Sequence, residues 1–164
     1  MPLPDNENSH YESTNNMPIL DYTTKVPVAR TVAEIEAKLA RAKAEAILKE
    51  YDRDGIVSAL SFRIRTEFGV LTFLLPANIG RVYQVIVRDK RISPSLRTRE
   101  QAARIAWRIV KDWIEAQLAM IEAGLVDLQQ VFLPYAQDTK GRTFYELMRE
   151  RKFQPLLPES NSAN

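Results

Sequence analysis

Between residues 29 and 154 the apolar positions recur with two different periods, and the change of period divides the chain into elements. Val32, Ile35, Leu39, Ala42 and Ala46 fall at alternating spacings of three and four, which is one stripe of an amphipathic helix. Thr31-Val32-Ala33-Glu34 has the form of a capping box, so this helix is expected to open there and end near Tyr51. Asp52-Arg53-Asp54-Gly55 reads as a turn, with a glycine free to take positive φ. From Ile56 the period drops to two. Ile56, Ser58, Leu60, Phe62 and Ile64 alternate with Val57, Ala59, Ser61, Arg63 and Arg65. Thr66-Glu67-Phe68-Gly69 turns the chain into Val70–Leu75, and Pro76 ends the ladder. The pattern predicts an antiparallel hairpin. A lone hairpin is marginal in water, so helices must cover one face, and a larger or intermolecular sheet stays open.

The helical period then returns. Asn78 is placed to cap a helix carrying Ile79, Val82, Tyr83 and Ile86, and a basic loop around Ser93-Pro94-Ser95 follows. Thr98-Arg99-Glu100-Gln101 is a second capping box, opening a segment that stays periodic to Ile121, with Gly124 as its stop. On a helical wheel Trp107, Val110, Ile114, Leu118 and Ile121 form one stripe, and Ala102, Ile105, Ile109, Trp113 and Met120 an adjoining one. Only a narrow strip of Arg104, Arg108, Lys111, Asp112, Glu115 and Glu122 is polar. Such a helix must be packed on two sides, as the centre of the domain or in a dimer interface. Asp127 is placed to cap a short helix before Pro134. Thr143-Phe144-Tyr145-Glu146 is a further box, for a last helix to about Lys152 with Phe144, Leu147 and Met148 inward. The predicted fold is α+β: a hairpin packed on a mainly helical domain with one long apolar central helix.

Composition sets the boundaries. Residues 1–28 are polar and hold Pro2, Pro4, Pro18 and Pro27, so they read as a flexible arm with a docked extended piece around Ile19–Tyr22. Residues 29–154 form the single domain and 155–164 a tail, within the size one hydrophobic core supports. The chain has no cysteine, which excludes disulfides and thiol chemistry. It has neither a secretory signal nor an apolar run of membrane-spanning length, so a cytoplasmic protein with no membrane partner is expected. A net charge of +2 hides a strong asymmetry. From Arg81 to Lys111 nine cations face only Asp89 and Glu100, a local charge of +7, while Asp112 to Asp127 holds four acids and no base.

Catalytic chemistry is hard to assemble. The single histidine, His10, lies in the arm, where nothing fixes its orientation. Asp52-x-Asp54-Gly55 opens like a calcium loop, but Ile56-Val57-Ser58-Ala59-Leu60 replaces the ligands that should follow. Phosphate loops, dinucleotide fingerprints and a nucleophile elbow are missing. No catalytic residue, metal or cofactor is therefore assigned. The basic segment is the lead: Arg81, Arg88, Lys90, Arg91, Arg97, Arg99, Arg104 and Arg108, extended by Arg63 and Arg65 on the polar face of the first strand. Cations can follow phosphates while Tyr83 or a tryptophan stacks bases, as in single-stranded nucleic acid binding. The plainer reading is a wet helix face with Arg108–Asp112 and Lys111–Glu115 paired at i,i+4 and both tryptophans in the core. Arg142, Arg149, Arg151 and Lys152, mixed with Glu146 and Glu150, read as a solvated face, and Asp138-Thr139-Lys140-Gly141-Arg142 as a polar turn or a ligand loop.

Leu60-Ser61-Phe62, Leu75-Pro76-Ala77-Asn78, the stretch from Gln101 to Trp113, and Val131-Phe132-Leu133-Pro134-Tyr135 together resemble a group of small proteins of unknown function from phage, prophage and environmental bacterial sequences. The resemblance covers residues 30 to 158 and implies a mobile-element setting without bringing an activity. The leading expectation is a non-enzymatic nucleic-acid-binding accessory protein, preferring single-stranded DNA. Two alternatives stand beside it. One is an oligomeric protein–protein module acting on a host or phage protein, such as a defence inhibitor. The other is a pocket for a small phosphorylated nucleotide.

Overall fold

The computed structural model describes residues 17–158, so His10, most of the expected arm and the end of the expected tail lie outside the described residues. The first helix, α1 (Val28–Arg41), begins three residues before the Thr31 box. Pro27 is at its N-cap, with its carbonyl accepting from the amides of Arg30 and Thr31. Proline has no N–H to leave orphaned there. Thr31 thus falls inside the first turn, buried, and its hydroxyl has no partner among the described residues.

The helix also ends well before Tyr51. Lys43 takes φ 73°, and the amides of Lys43 and Ala44 return to the carbonyls of Ala40 and Leu39. This is a Schellman stop, a motif usually built on glycine. The chain then enters β1 (Ala46–Tyr51), which pairs antiparallel with β2 (Val57–Thr66), itself paired with β3 (Gly69–Leu74). The expected hairpin is thus part of a three-stranded sheet in the order β1-β2-β3. Opposite Glu50 and Tyr51 stand Ala59 and Val57, leaving Ser58 as an extra residue. That irregularity returns Val57, rather than Ile56 or Ser58, to the buried face.

Asn78 caps α2 (Ile79–Arg88), its side chain accepting from the Arg81 amide at 3.1 Å. Thr98 caps α3 (Arg99–Glu122) through a 3.1 Å bond from the Gln101 amide. The other half of that box is not made. Gln101 is buried, and its Nε2 donates to the carbonyls of Tyr22 and Thr24, both at 2.9 Å. This clamp holds the segment before α1 as a turn, not an extended piece, with Ile19 and Tyr22 packed against the core.

Helix α3 is central. Trp107, Val110 and Ile114 join Leu60, Phe62 and Phe73 of the sheet and Val32, Ile35 and Leu39 of α1. Ala102, Ala103, Ile105 and Ala106 join Ile79 and Ile86 of α2 and Ile92 of the following loop. Most of its apolar surface is buried within the chain, while Met120 near its end stays exposed. Trp107 is fully buried, with its indole N–H donating to the Val57 carbonyl at 2.8 Å. Phe132, at the end of α4 (Leu128–Phe132), packs its ring against Phe62, Phe73 and Trp113. The last helix, α5 (Phe144–Glu150), forms both halves of its Thr143–Glu146 box. Met148 is buried on it, but Phe144 is exposed: Thr143 takes the inward place where the helix enters. No helix of the described residues is long and apolar enough to cross a membrane.

Candidate nucleic-acid interface

The α2–α3 connection is a loop whose shape is set by its own charges. Asp89 accepts from the Arg91 amide at 3.0 Å and from its guanidinium at 2.8 and 2.7 Å. These hydrogen bonds from the side chain and then the amide of Arg91 hold the Asp89 carboxyl down at about 2. Further along, Arg97 donates to the carbonyls of Ile92 and Lys90, at 3.0 and 3.4 Å, and ties the two ends of the loop together. A 3-10 turn, Pro94–Leu96, fills the space between. The loop is therefore cross-braced, with the Arg91 and Arg97 side chains held by these bonds.

The ten cations singled out from the sequence separate into three sets. Arg88 ends α2, Lys90 and Arg97 lie on this connection, and Arg99 opens α3; none of them has a carboxylate partner among the described residues. Arg81 lies two turns back along α2, also exposed and unpaired among them. Arg91, Arg104 and Arg108 are engaged: Arg91 with Asp89 at 2.7 Å, Arg104 with Glu100 at 2.7 Å and Arg108 with Asp112 at 3.5 Å. Helix α3 also bears Arg99 at its first position, where the helix dipole disfavours a cation.

Arg63 and Arg65 are elsewhere. They point from β2 to the face of the sheet away from α1 and α3, near the β2–β3 turn. Helix α2 leaves from the other end of β3, and Ile56, at the β1–β2 turn, packs against the cluster that α2 forms with the start of α3. Arg65 is paired with Glu45 at 2.8 Å, and Arg63 stands alone between Ala46 and Thr72. The sheet arginines thus do not extend the patch.

The proposed stacking residues also change. Trp107 is sealed in the core, Trp113 is packed on Phe132 and Tyr135, and Tyr83 is half-buried beside the second cluster. Apolar surface near the cations comes instead from Val85 and from Met17 and Leu20, which line a groove that also contains Asp21, Tyr22, Asp89 and Arg91. Nothing local in the sequence announces it, since Gln101 holds its far wall across a separation of 79 residues.

Two other features resolve as structural. Asp138 closes its own turn, accepting from the amides of Lys140 and Arg142 at 2.9 Å and from the Arg142 guanidinium. Asp52 does the same for Asp54 and Ile56. Among the described residues no set of three carboxylate or imidazole groups is arranged to hold a metal ion. Comparison of the chain with family models, curated proteins and solved structures gives no match in any of the three.

Proposed function

We propose that this chain is a non-enzymatic accessory protein that binds the phosphate backbone of nucleic acid at the α2–α3 connection. One observation carries the reading: Lys90 and Arg97 on a braced loop, with Arg88 and Arg99 at the helix ends that flank it, have no carboxylate partner among the described residues. Each phosphate neutralised by such a cation releases a counterion, so affinity depends on salt. Four contacts on a single strand give a slope of about −3 in log K against log salt. Fluorescence anisotropy with a labelled single strand, between about 50 and 200 mM salt, measures it. A flat dependence, or no binding at the low-salt end, overturns the proposal. If mononucleotides raise the melting temperature while strands do not, a nucleotide pocket replaces it. Mobile-element DNA is part of this proposal, and only the resemblance noted in the sequence supports it.

A second reading rests on a different surface. The outer face of the sheet exposes Leu48 and Val70 around Arg63, which suits a protein partner or a second copy. Size-exclusion chromatography with mass measurement tests it: a concentration-independent monomer removes the second copy.

A further inference from the structure

The groove beside the α2–α3 connection has a volume of about 670 Å3, within the range of small-ligand sites. Met17, Leu20 and Val85 line it and stay open to solvent, at 73%, 65% and 47% of their full exposure. Arg88 follows Val85 by three residues on α2, so both lie on one side of that helix. Arg91 lines the groove and belongs to the connection. The groove therefore adjoins the cations that would hold a phosphate chain.

Its two carboxylates differ. Asp89 is saturated by Arg91. Asp21 adopts φ 60°, a strained conformation outside glycine, and its Oδ2 is buried with no hydrogen-bond partner among the described residues. That oxygen is closed to a ligand, but Asp21 lines the groove and its other carboxylate oxygen accepts no hydrogen bond among the described residues. Apolar walls, that acceptor and a cationic rim describe a planar ring with an amino group, attached to a phosphate.

We infer that this groove seats one unstacked base of a single strand whose phosphates lie on Arg88, Lys90, Arg97 and Arg99. The inference rests on the nucleic-acid reading above and specifies it. Leu20 and Val85 meet the faces of the ring, and the Asp21 carboxylate accepts from an exocyclic amino group. Adenine, cytosine and guanine carry that group. Thymine sets two carbonyl oxygens around its one N–H and suits a carboxylate less well. Bases stacked within a duplex are not available, so single strands are preferred.

The test uses the full chain and four labelled strands of equal length and charge: oligo-deoxyadenylate, oligo-deoxycytidylate, oligo-deoxythymidylate and an abasic backbone. The adenine and cytosine strands should bind about tenfold more tightly than the abasic one, with thymine between them and one common salt slope. Val85→Ala and Leu20→Ala, at exposed positions outside the buried core, should bring the base-bearing strands toward the abasic value. Asp21→Gly, which removes the acceptor and suits the positive φ of 60°, should remove the preference over thymine and leave the slope unchanged. Equal affinity for abasic and base-bearing strands, or for duplex and single strand, overturns the base site while the phosphate reading survives. Failure of all four strands to bind overturns the reading beneath it.

Discussion

Two aspartates and two lysines do local work that their neighbours depend on. Asp52 and Asp138 each accept from the amides two and four residues on, and each is followed three residues later by a glycine, at φ 75° and 80°. The amide of Asp52 also donates to Ile56, and that of Asp138 to Arg142, so the same three-residue turn with a left-handed glycine is built twice. Asp52→Ala removes both side-chain bonds at the β1–β2 turn and should cost about 1–2 kcal/mol in urea unfolding. Lys43 and Lys152 occupy the left-handed position at the ends of α1 and α5, at φ 73° and 53°. A side chain there costs about 1–2 kcal/mol relative to glycine. Lys43 makes no ion pair among the described residues and is exposed, so Lys43→Gly should raise stability by about 1 kcal/mol. A loss of stability would show that the lysine side chain does something its backbone does not.

Between α1 and α3 runs a ladder of alternating charge. Lys111, nearly buried, reaches Glu34 and Glu115 at 3.2 Å each, and Lys38 reaches Glu115 at 2.9 Å. Burial works against the Lys111 ammonium, yet its bonds to Glu115 and Glu34 carry its pKa above the ordinary range. Both acids move the other way. A hydrogen bond from Lys111 leads for Glu34 and one from Lys38 for Glu115, and each carboxyl is held below its usual 4.5. Groups with lowered folded values stabilise above their unfolded values and lose that contribution as the pH falls through the folded ones. The melting temperature should therefore fall as the medium is acidified from about pH 4.5 downward. Lys111→Met should destabilise the fold at neutral pH, and the gap from the parent protein should narrow as the pH falls. A gap constant with pH would mean that packing, not charge, is what Lys111 supplies. Legibility at this level followed the chemistry of the stops. Gly124 announced the end of α3, whereas lysine at the same backbone position of α1 concealed β1 behind a stretch that continued the helical stripe. Asn78 and Thr143 were readable because each capping bond is local. The Gln101 clamp and the groove behind it were not, because their parts meet only through the tertiary fold.

The whole molecule carries a net charge of only +2, so long-range attraction to a polyanion is weak and placement must matter more than total charge. Its candidate cations lie in two separate places, one on the α2–α3 connection and one on the outer sheet toward the β2–β3 turn. Arg88→Glu and Arg63→Glu change the net charge by the same amount, and neither residue is paired among the described residues, so neither reversal orphans a carboxylate. If the connection is the interface, Arg88→Glu should weaken single-strand binding by about tenfold or more at low salt and reduce the salt slope by about 0.7, the loss of one phosphate contact. Arg63→Glu should leave affinity within about twofold and the slope unchanged, since a charge beyond a Debye length of about 10 Å from the strand is screened. Anisotropy titrations of the two variants against one strand decide the matter. Equal losses would assign binding to net charge rather than to a site, and a loss confined to Arg63→Glu would move the interface to the sheet.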